Sequence, residues 1–148
     1  MTTPRLLPPH YFLASVVLIA GLALPTNSAL FPGWVQWLAI VPMLAGLGIA
    51  VRASRQFSAA DTNIVPFSES TALVTDGTFA FSRNPMYLGM MLFLTGAAAA
   101  TNEPLPWLVV ALFFLVIHFR FILNEEKHMT AAFGDVYRRY ARTVRRWL

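Results

Sequence analysis

The sequence predicts an all-α integral membrane protein with four transmembrane helices, arranged as two hairpins, and an amphipathic C-terminal helix. Of the 148 residues, 57% are hydrophobic and 12% are charged, whereas soluble domains carry about 25% charged residues. No charged residue lies between Arg5 and Arg52, a gap of 46 residues, and a helix needs about 20 residues to cross the hydrocarbon layer. The gap therefore has room for two spans and a turn.

The first hairpin occupies the N-terminal part of a single domain, residues 1–60. Its spans are predicted at residues 11–30 and 34–51, with Pro32 and Gly33 as the turn between them. A secretory signal is the rival interpretation of the first span, because Arg5 precedes an apolar run. We favour the hairpin because a second apolar span follows directly.

The remaining part, residues 61–148, contains the second hairpin. A polar stretch from Arg52 to Pro85 carries six charged residues and is predicted to be a loop region, since it cannot cross a bilayer. Two apolar runs follow at residues 84–102 and 105–123, separated by a short turn. These runs are the third and fourth predicted spans.

The distribution of charge predicts the orientation. With four spans, all 11 basic residues lie on the side of the two termini and the polar stretch, and none lies in the two opposite turns. Cytoplasmic loops collect Lys and Arg, so we expect both termini in the cytoplasm and the protein in the inner, cytoplasmic membrane. The net charge of +4 and the pI near 10.1 then reflect topology, and we expect no nucleic-acid partner. The absence of cysteine excludes disulfides and thiolate catalysis.

The C-terminal tail, residues 120–148, is predicted to form an amphipathic helix broken near Gly134. Apolar and aromatic residues recur there at steps of three and four: Met129, Phe133, Val136, Tyr137, Tyr140 and Val144. The tail arginines are expected against the cytoplasmic headgroups: Arg138, Arg139, Arg142, Arg145 and Arg146.

Polar groups at the start of the third span form a first candidate site. Pro85 suits the first turn of a helix, whose free N–H groups bind anions, and Arg83 adds positive charge. Gly89 would let a ligand approach the backbone. Alternatively, Arg83 reaches headgroups, Tyr87 belongs to the interface, and Gly89 packs helices.

Glu125 and Glu126, directly after the fourth span, form a second candidate site. They either pair locally with Arg120, Lys127 or His128 or bind a cationic ligand. Adjacent helical side chains point about 100° apart, so the two carboxylates would hold different groups. The three histidines are too scattered for a metal site, and none is predicted.

Taken together, the motifs resemble the isoprenylcysteine carboxyl methyltransferases and the related phospholipid N-methyltransferases, which are membrane enzymes that use S-adenosylmethionine. The resemblance covers residues 62–148 and rests on five ordered segments: 73–77 (LVTDG), 82–89 (SRNPMYLG), 124–126 (NEE), 133–140 (FGDVYRRY) and 144–147 (VRRW).

The resemblance implies an S-adenosylmethionine site at the cytoplasmic face, with a lipophilic small-molecule acceptor and membrane lipids as partners. The cofactor-binding residues that it implies are Gly77, Arg83, Asn84, Pro85, Tyr87, Gly89, Glu125 and Glu126. For amine or thiol acceptors, which must lose a proton, the candidate catalytic residues are Arg120 and Glu125, with a substrate-facing tyrosine as the alternative. Many relatives have histidine where this chain has Asn84, which cannot carry a proton charge.

The acceptor stays open at this point between an isoprenylcysteine-like carboxylate, a phospholipid amine, a thiol and another small lipid-like molecule. Two further function classes remain. One is a non-catalytic membrane scaffold, and the other is a reductase, since some longer membrane sterol reductases share a related C-terminal arrangement. The sequence leaves the oligomeric state undetermined.

Overall fold

The computed structural model describes residues 6–23, 29–60 and 72–148, and over these ranges it contains helices and no strand. The helices are α1 (Pro8–Leu22), α2 (Trp34–Leu38), α3 (Ile40–Ala59), α4 (Pro85–Thr101), α5 (Leu105–Val116) and α6 (Leu123–Thr143). A π-helical turn, Ile117–Ile122, joins α5 to α6, and a 3₁₀ turn, Gly77–Ala80, precedes α4. The predicted all-helical fold is confirmed.

The third predicted span agrees closely with α4. Pro85 occupies the first helical position, where its missing N–H breaks no hydrogen bond. At the other end, Asn102 adopts a left-handed conformation with φ of 57° and ends the helix. The first span was predicted less accurately, because α1 begins at Pro8 and ends at Leu22, before residues 24–28, which lie outside the described ranges.

The second span continues further than the charge pattern predicts. After a brief interruption at Ala39, α3 runs to Ala59, so the loop prediction was wrong for the stretch that contains Arg52 and Arg55. Both arginines are exposed, and long basic side chains can extend from a helix end to headgroups. The interruption has a local cause, since Pro42 has no N–H to donate to the carbonyl of Leu38.

The fourth predicted span is not a separate helix. It comprises α5 and the π-helical turn, and it continues without a break into α6. The predicted break in the tail is confirmed at Gly134, whose φ of 52° and ψ of −124° are not helical. Glycine adopts such a conformation readily because it has no Cβ.

Helix α4 lies at the centre of the bundle and packs against α1, α3 and α5. Its closest approach is to α3, where glycines let the two backbones meet. A Cβ on Gly89 would contact the carbonyl oxygen of Gly46 and lie 2.9 Å from Ala50, and a Cβ on Gly96 would lie 2.7 Å from the oxygen of Ala39. Small residues permit this packing in membrane bundles.

Hydrogen bonds at the two ends of the bundle fix the chain connections. At one end, the Asn102 side chain accepts from the Phe31 amide and donates to the Phe31 carbonyl, both at 2.8 Å. At the other end, the Gln56 side chain on α3 donates to Asp76 at 3.0 Å and accepts from the Thr78 amide at 3.0 Å. The hydrogen bonds between Asn102 and Phe31 therefore hold the two predicted non-cytoplasmic turns together.

Within the described ranges, two helical segments are long and apolar enough to cross a membrane, namely Trp34–Ala59 and Leu105–Thr143. The apolar helices α1 and α4 have 15 and 17 residues, or roughly 22 and 25 Å at 1.5 Å per residue. Large apolar side chains face outward, including Trp37 at 82% exposure and Val17 at 70%. Such surfaces are suited to lipid contact.

Candidate functional site

Three segments that are distant in sequence converge at one end of the bundle. They are the residues before α4, the first turn of α6, and the last five residues, Val144–Leu148, which we call the C-terminal strap. Because Pro85 begins α4, Arg83 and Asn84 immediately precede the helix. The Arg83 amide donates to the carbonyl of Arg145 at 2.9 Å and so ties the strap to this position.

The carboxylate of Glu126 joins two arginines. The Arg83 guanidinium lies 3.0 Å from its Oε1 atom. Arg146 binds both oxygens, with Nε 2.8 Å from Oε1 and a terminal nitrogen 2.7 Å from Oε2. The side chains of Arg83 and Glu126 are only 12% and 16% exposed, and that of Arg146 is 36% exposed. Two positive groups thus share one negative group.

Arg146 was expected at the lipid headgroups, and that interpretation is wrong for this residue. Its hydrogen bonds to the Glu126 carboxylate raise the pKa of the Arg146 guanidinium. Its backbone carbonyl accepts from the Asn84 side chain at 2.9 Å and from the Ser82 hydroxyl at 3.4 Å. Local pairing of Glu126 with its helix neighbours is likewise replaced by long-range pairing, because the strap folds back over α6.

Glu125 faces a different partner. The Tyr87 hydroxyl donates to its Oε1 atom at 2.6 Å, and Tyr87 is 8% exposed. Tyr87 therefore does not serve as an interface anchor, one of the two roles that its position allowed. The two carboxylates hold different groups, as the angular separation of adjacent helical residues predicts.

The other predicted site residues lie in different surroundings. Gly89 faces α3, so the helix-packing interpretation accounts for its position, and a cofactor contact there stays a prediction. Gly77 has φ of 57° in the turn that Gln56 holds. Arg120 is exposed on the π-helical turn, and its carbonyl accepts from the Asn124 side chain at 2.9 Å. Among the described residues, the carboxylate of Glu125 pairs with Tyr87 and that of Glu126 with two other arginines, so the predicted pairing with Arg120 is not found.

Sequence reasoning missed Arg146, Ser82 and Gln56 as residues that organise this region. Arg146 stands among five tail arginines, and nothing local separates it from the others. The available signal was the acidic residue after the fourth span, which needed a cationic partner. Which arginine is that partner depends on how the C-terminal strap folds back over α6, and the sequence does not show this.

One buried donor in the cluster has no partner among the described residues, the Nε atom of Arg83. A buried donor without an acceptor is unfavourable by about 1–3 kcal/mol. It is also suited to bind an oxygen atom of a ligand. The cluster thus combines surplus positive charge with an unused hydrogen-bond donor.

Comparison with known proteins identifies the family. Residues 34–136, which include α3, α4, α5 and both acidic residues, match the phospholipid methyltransferase family. The chain belongs to the phospholipid methyltransferase family. The family match ends before the C-terminal strap.

Two curated proteins are similar to this phospholipid methyltransferase family member. An uncharacterized protein of Haemophilus influenzae is 44% identical over 63 residues, covering 43% of this chain and all of that protein. The protein-S-isoprenylcysteine O-methyltransferase of Schizosaccharomyces pombe is 31% identical over 72 residues, covering 49% of this chain and 30% of the yeast protein. No solved structure matches.

Proposed function

We propose that this protein transfers a methyl group from S-adenosylmethionine to a small lipophilic acceptor at the cytoplasmic face of a membrane. The observation that carries the proposal is the Arg83–Glu126–Arg146 cluster with its unpartnered Arg83 Nε atom. Membership of the phospholipid methyltransferase family supports the reaction class. The predicted four spans and cytoplasmic termini belong to the same proposal.

The residues present fit the polar groups of S-adenosylmethionine, which carries a carboxylate, an ammonium and a sulfonium. Arg83 would hold the carboxylate, because its Nε atom is an unused donor and the cluster has surplus positive charge. The free N–H groups at the start of α4 favour the same charge. Gly77, Asn84, Pro85, Tyr87 and Gly89 complete the predicted cofactor contacts.

The acidic pair would receive the ammonium group. Three guanidinium contacts already occupy the carboxylate of Glu126, and an ionised carboxylate accepts about four hydrogen bonds. The carboxylate of Glu125 accepts one hydrogen bond among the described residues, from the Tyr87 hydroxyl. We therefore assign Glu125 the larger share of ammonium binding and Glu126 the task of holding the two arginines.

S-adenosylmethionine supplies an activated methyl group, so the chain has to position the acceptor and exclude water. A carboxylate acceptor has no proton to lose. For an amine or thiol acceptor, Glu125 would take the proton directly, and Arg120 would add positive charge near the cytoplasmic edge. Both residues are on the same continuous helical segment.

We propose an isoprenylcysteine-like carboxylate as the acceptor, because the yeast relative is named for that substrate. The family description favours a phospholipid amine as the second candidate. Either molecule would enter from the bilayer between helices. The outward apolar faces of α1 and α5 are compatible with such entry.

The test is saturation binding of S-adenosylmethionine to detergent-purified protein, for the parent, Arg83→Ala, Glu126→Ala and Arg142→Ala. We expect binding by the parent and the Arg142→Ala control, since Arg142 is exposed in the last turn of α6. The two site variants should bind at least about tenfold more weakly, because each loses a charged hydrogen bond.

Absence of binding by the folded parent would contradict the proposed function. The non-catalytic alternative predicts that site substitutions change insertion or partner binding with no cofactor signal. The acceptor can then be identified with isotopically labelled cofactor, by measuring mass shifts in membrane lipid extract and in a synthetic isoprenylcysteine.

A further inference from the structure

The C-terminal strap contacts the site through two consecutive residues, Arg145 and Arg146. The Arg145 carbonyl accepts from the Arg83 amide at 2.9 Å. The Arg146 guanidinium binds both oxygens of Glu126, while its carbonyl accepts from Asn84. Backbone and side-chain contacts therefore connect the strap to both segments of the proposed cofactor site.

Trp147 anchors the far end of the strap on the π-helical turn. Its indole N–H donates to His118 Nδ1 at 3.3 Å, and its ring lies 5.3 Å from that of Phe114. The strap thus crosses from the start of α4 to the segment that precedes Glu125. Val144 is extended, with ψ of 131°, which turns the chain out of α6 and back toward the site.

The geometry at Glu126 gives Arg146 a specific task. The Arg83 ion pair is formed at Oε1, whereas Arg146 binds both oxygens in a bidentate arrangement that fixes the plane of the carboxylate. The fixed carboxylate gives the Arg83 guanidinium an ion-pair partner in a defined place. The Nε atom of Arg83 is buried beside this pair and has no acceptor among the described residues.

We propose that the C-terminal strap is part of the cofactor site and that Arg146 is a positioning residue, which acts on the ligand through Glu126 and Arg83. This inference rests on the proposed function. It assigns a role to residues 144–147, one of the five segments that carry the resemblance, which the family match over residues 34–136 does not reach.

The position of the strap distinguishes this role from two others. An arginine that only binds headgroups would point away from the bundle, as the exposed neighbours Arg139 and Arg142 do. An autoinhibitory arginine would compete with a cationic ligand group for Glu126. A positioning role is favoured because Arg146 also holds Asn84 through its carbonyl, and because the cluster keeps a surplus positive charge for an anion.

The experiment compares the full-length parent with Arg146→Ala, Arg146→Lys and the control Arg142→Ala. S-adenosylmethionine affinity is measured by saturation binding in detergent. We expect Arg146→Ala to bind at least about tenfold more weakly, because a bidentate charged pair is lost. Arg146→Lys should be intermediate, since lysine keeps the charge without the bidentate geometry.

Two readouts separate positioning from general loss of structure. Guanidinium ion at millimolar concentration should restore part of the affinity of Arg146→Ala and none of that of Arg83→Ala. Hydrogen exchange at the Arg83 amide, which donates to the strap, should accelerate in Arg146→Ala while exchange in the middle of α4 stays unchanged.

The outcomes distinguish the two proposals. If the parent does not bind S-adenosylmethionine, the proposed function fails. If the parent binds and Arg146→Ala binds equally well, the proposed function stands and the positioning role is overturned. Tighter binding by Arg146→Ala would identify Arg146 as a competitor for the site and would also overturn it.

Discussion

Tyr87 and Glu125 form a short hydrogen bond of 2.6 Å at the point where α4 meets the start of α6. Each residue alone has an ordinary interpretation, as an interface aromatic and as a solvated helix carboxylate. Their contact gives them a shared task, because the hydroxyl orients the carboxylate that we assign to ligand binding and proton transfer.

For an amine or thiol acceptor, substitution of Tyr87 by Phe should lower both kcat and the affinity for S-adenosylmethionine, because Glu125 is assigned to proton transfer and to ammonium binding. The change removes the donor to Glu125 and leaves the aromatic packing in place. We expect about tenfold lower kcat and a free energy of unfolding lower by about 1–2 kcal/mol. Steady-state methyl transfer and thermal unfolding in detergent provide the measurements.

Tyr140→Phe is the matched control for Tyr87→Phe. The Tyr140 hydroxyl donates to the carbonyl of Phe79 at 2.7 Å, away from the acidic pair. Its loss should reduce stability by a similar amount with a much smaller change in kcat. Equal losses of kcat in both variants would argue against a specific role for the Tyr87–Glu125 contact.

The packing of α3 against α4 depends on glycines at their contact. A Cβ added to Gly46 would lie 2.8 Å from the Phe93 backbone nitrogen and would also meet the Gly89 carbonyl oxygen. The obstacles are backbone atoms, which cannot move aside as a flexible side chain would. This element contact positions the start of α4, and through it Arg83.

Gly46→Ala should therefore reduce the free energy of unfolding by about 1–3 kcal/mol, the usual effect of overpacking. Gly48 is on the same helix, and a Cβ there would meet no atom within 4 Å. Gly48→Ala should be neutral or stabilising by up to about 1 kcal/mol, because alanine favours helix. Denaturant titration of the two variants in one detergent measures the difference, and equal effects would contradict the packing argument.

At the scale of the whole molecule, the two ends of the bundle differ in charge and in chemistry. The Asn102–Phe31 contact marks one end, and the Glu126 cluster marks the other. The basic residues gather toward the second end, which the proposed topology puts in the cytoplasm. A cofactor site at that end would be open to a soluble cofactor, while the apolar faces contact lipid.

Single-cysteine labelling tests this orientation, and the absence of native cysteine gives it a clean background. A membrane-impermeant maleimide applied to intact cells should label Gly33→Cys and Pro104→Cys. Ser58→Cys and Arg142→Cys should react only after permeabilisation. All four positions are exposed. Labelling of Gly33→Cys and Ser58→Cys from the same side would exclude the four-span topology.

Much of the fold follows from local pattern. Pro85 and Asn102 bound α4 because proline suits the first turn and asparagine tolerates a left-handed end. Gly134 interrupts α6 for a similar local reason. The end of α3 was less predictable, since Arg52 signalled a loop although an exposed arginine can continue a helix.

The sequence by itself determined the helical class, the polar and apolar segments, and four residues of the candidate site, Arg83, Tyr87, Glu125 and Glu126. These features depend on composition and on spacing within one segment, which local physics governs. Only the tertiary structure decided their partners. Arg146 pairs with a residue 20 positions away, and Tyr87 with one 38 positions away. Such pairings depend on the path by which the chain returns, and that path is set by the packing of whole helices.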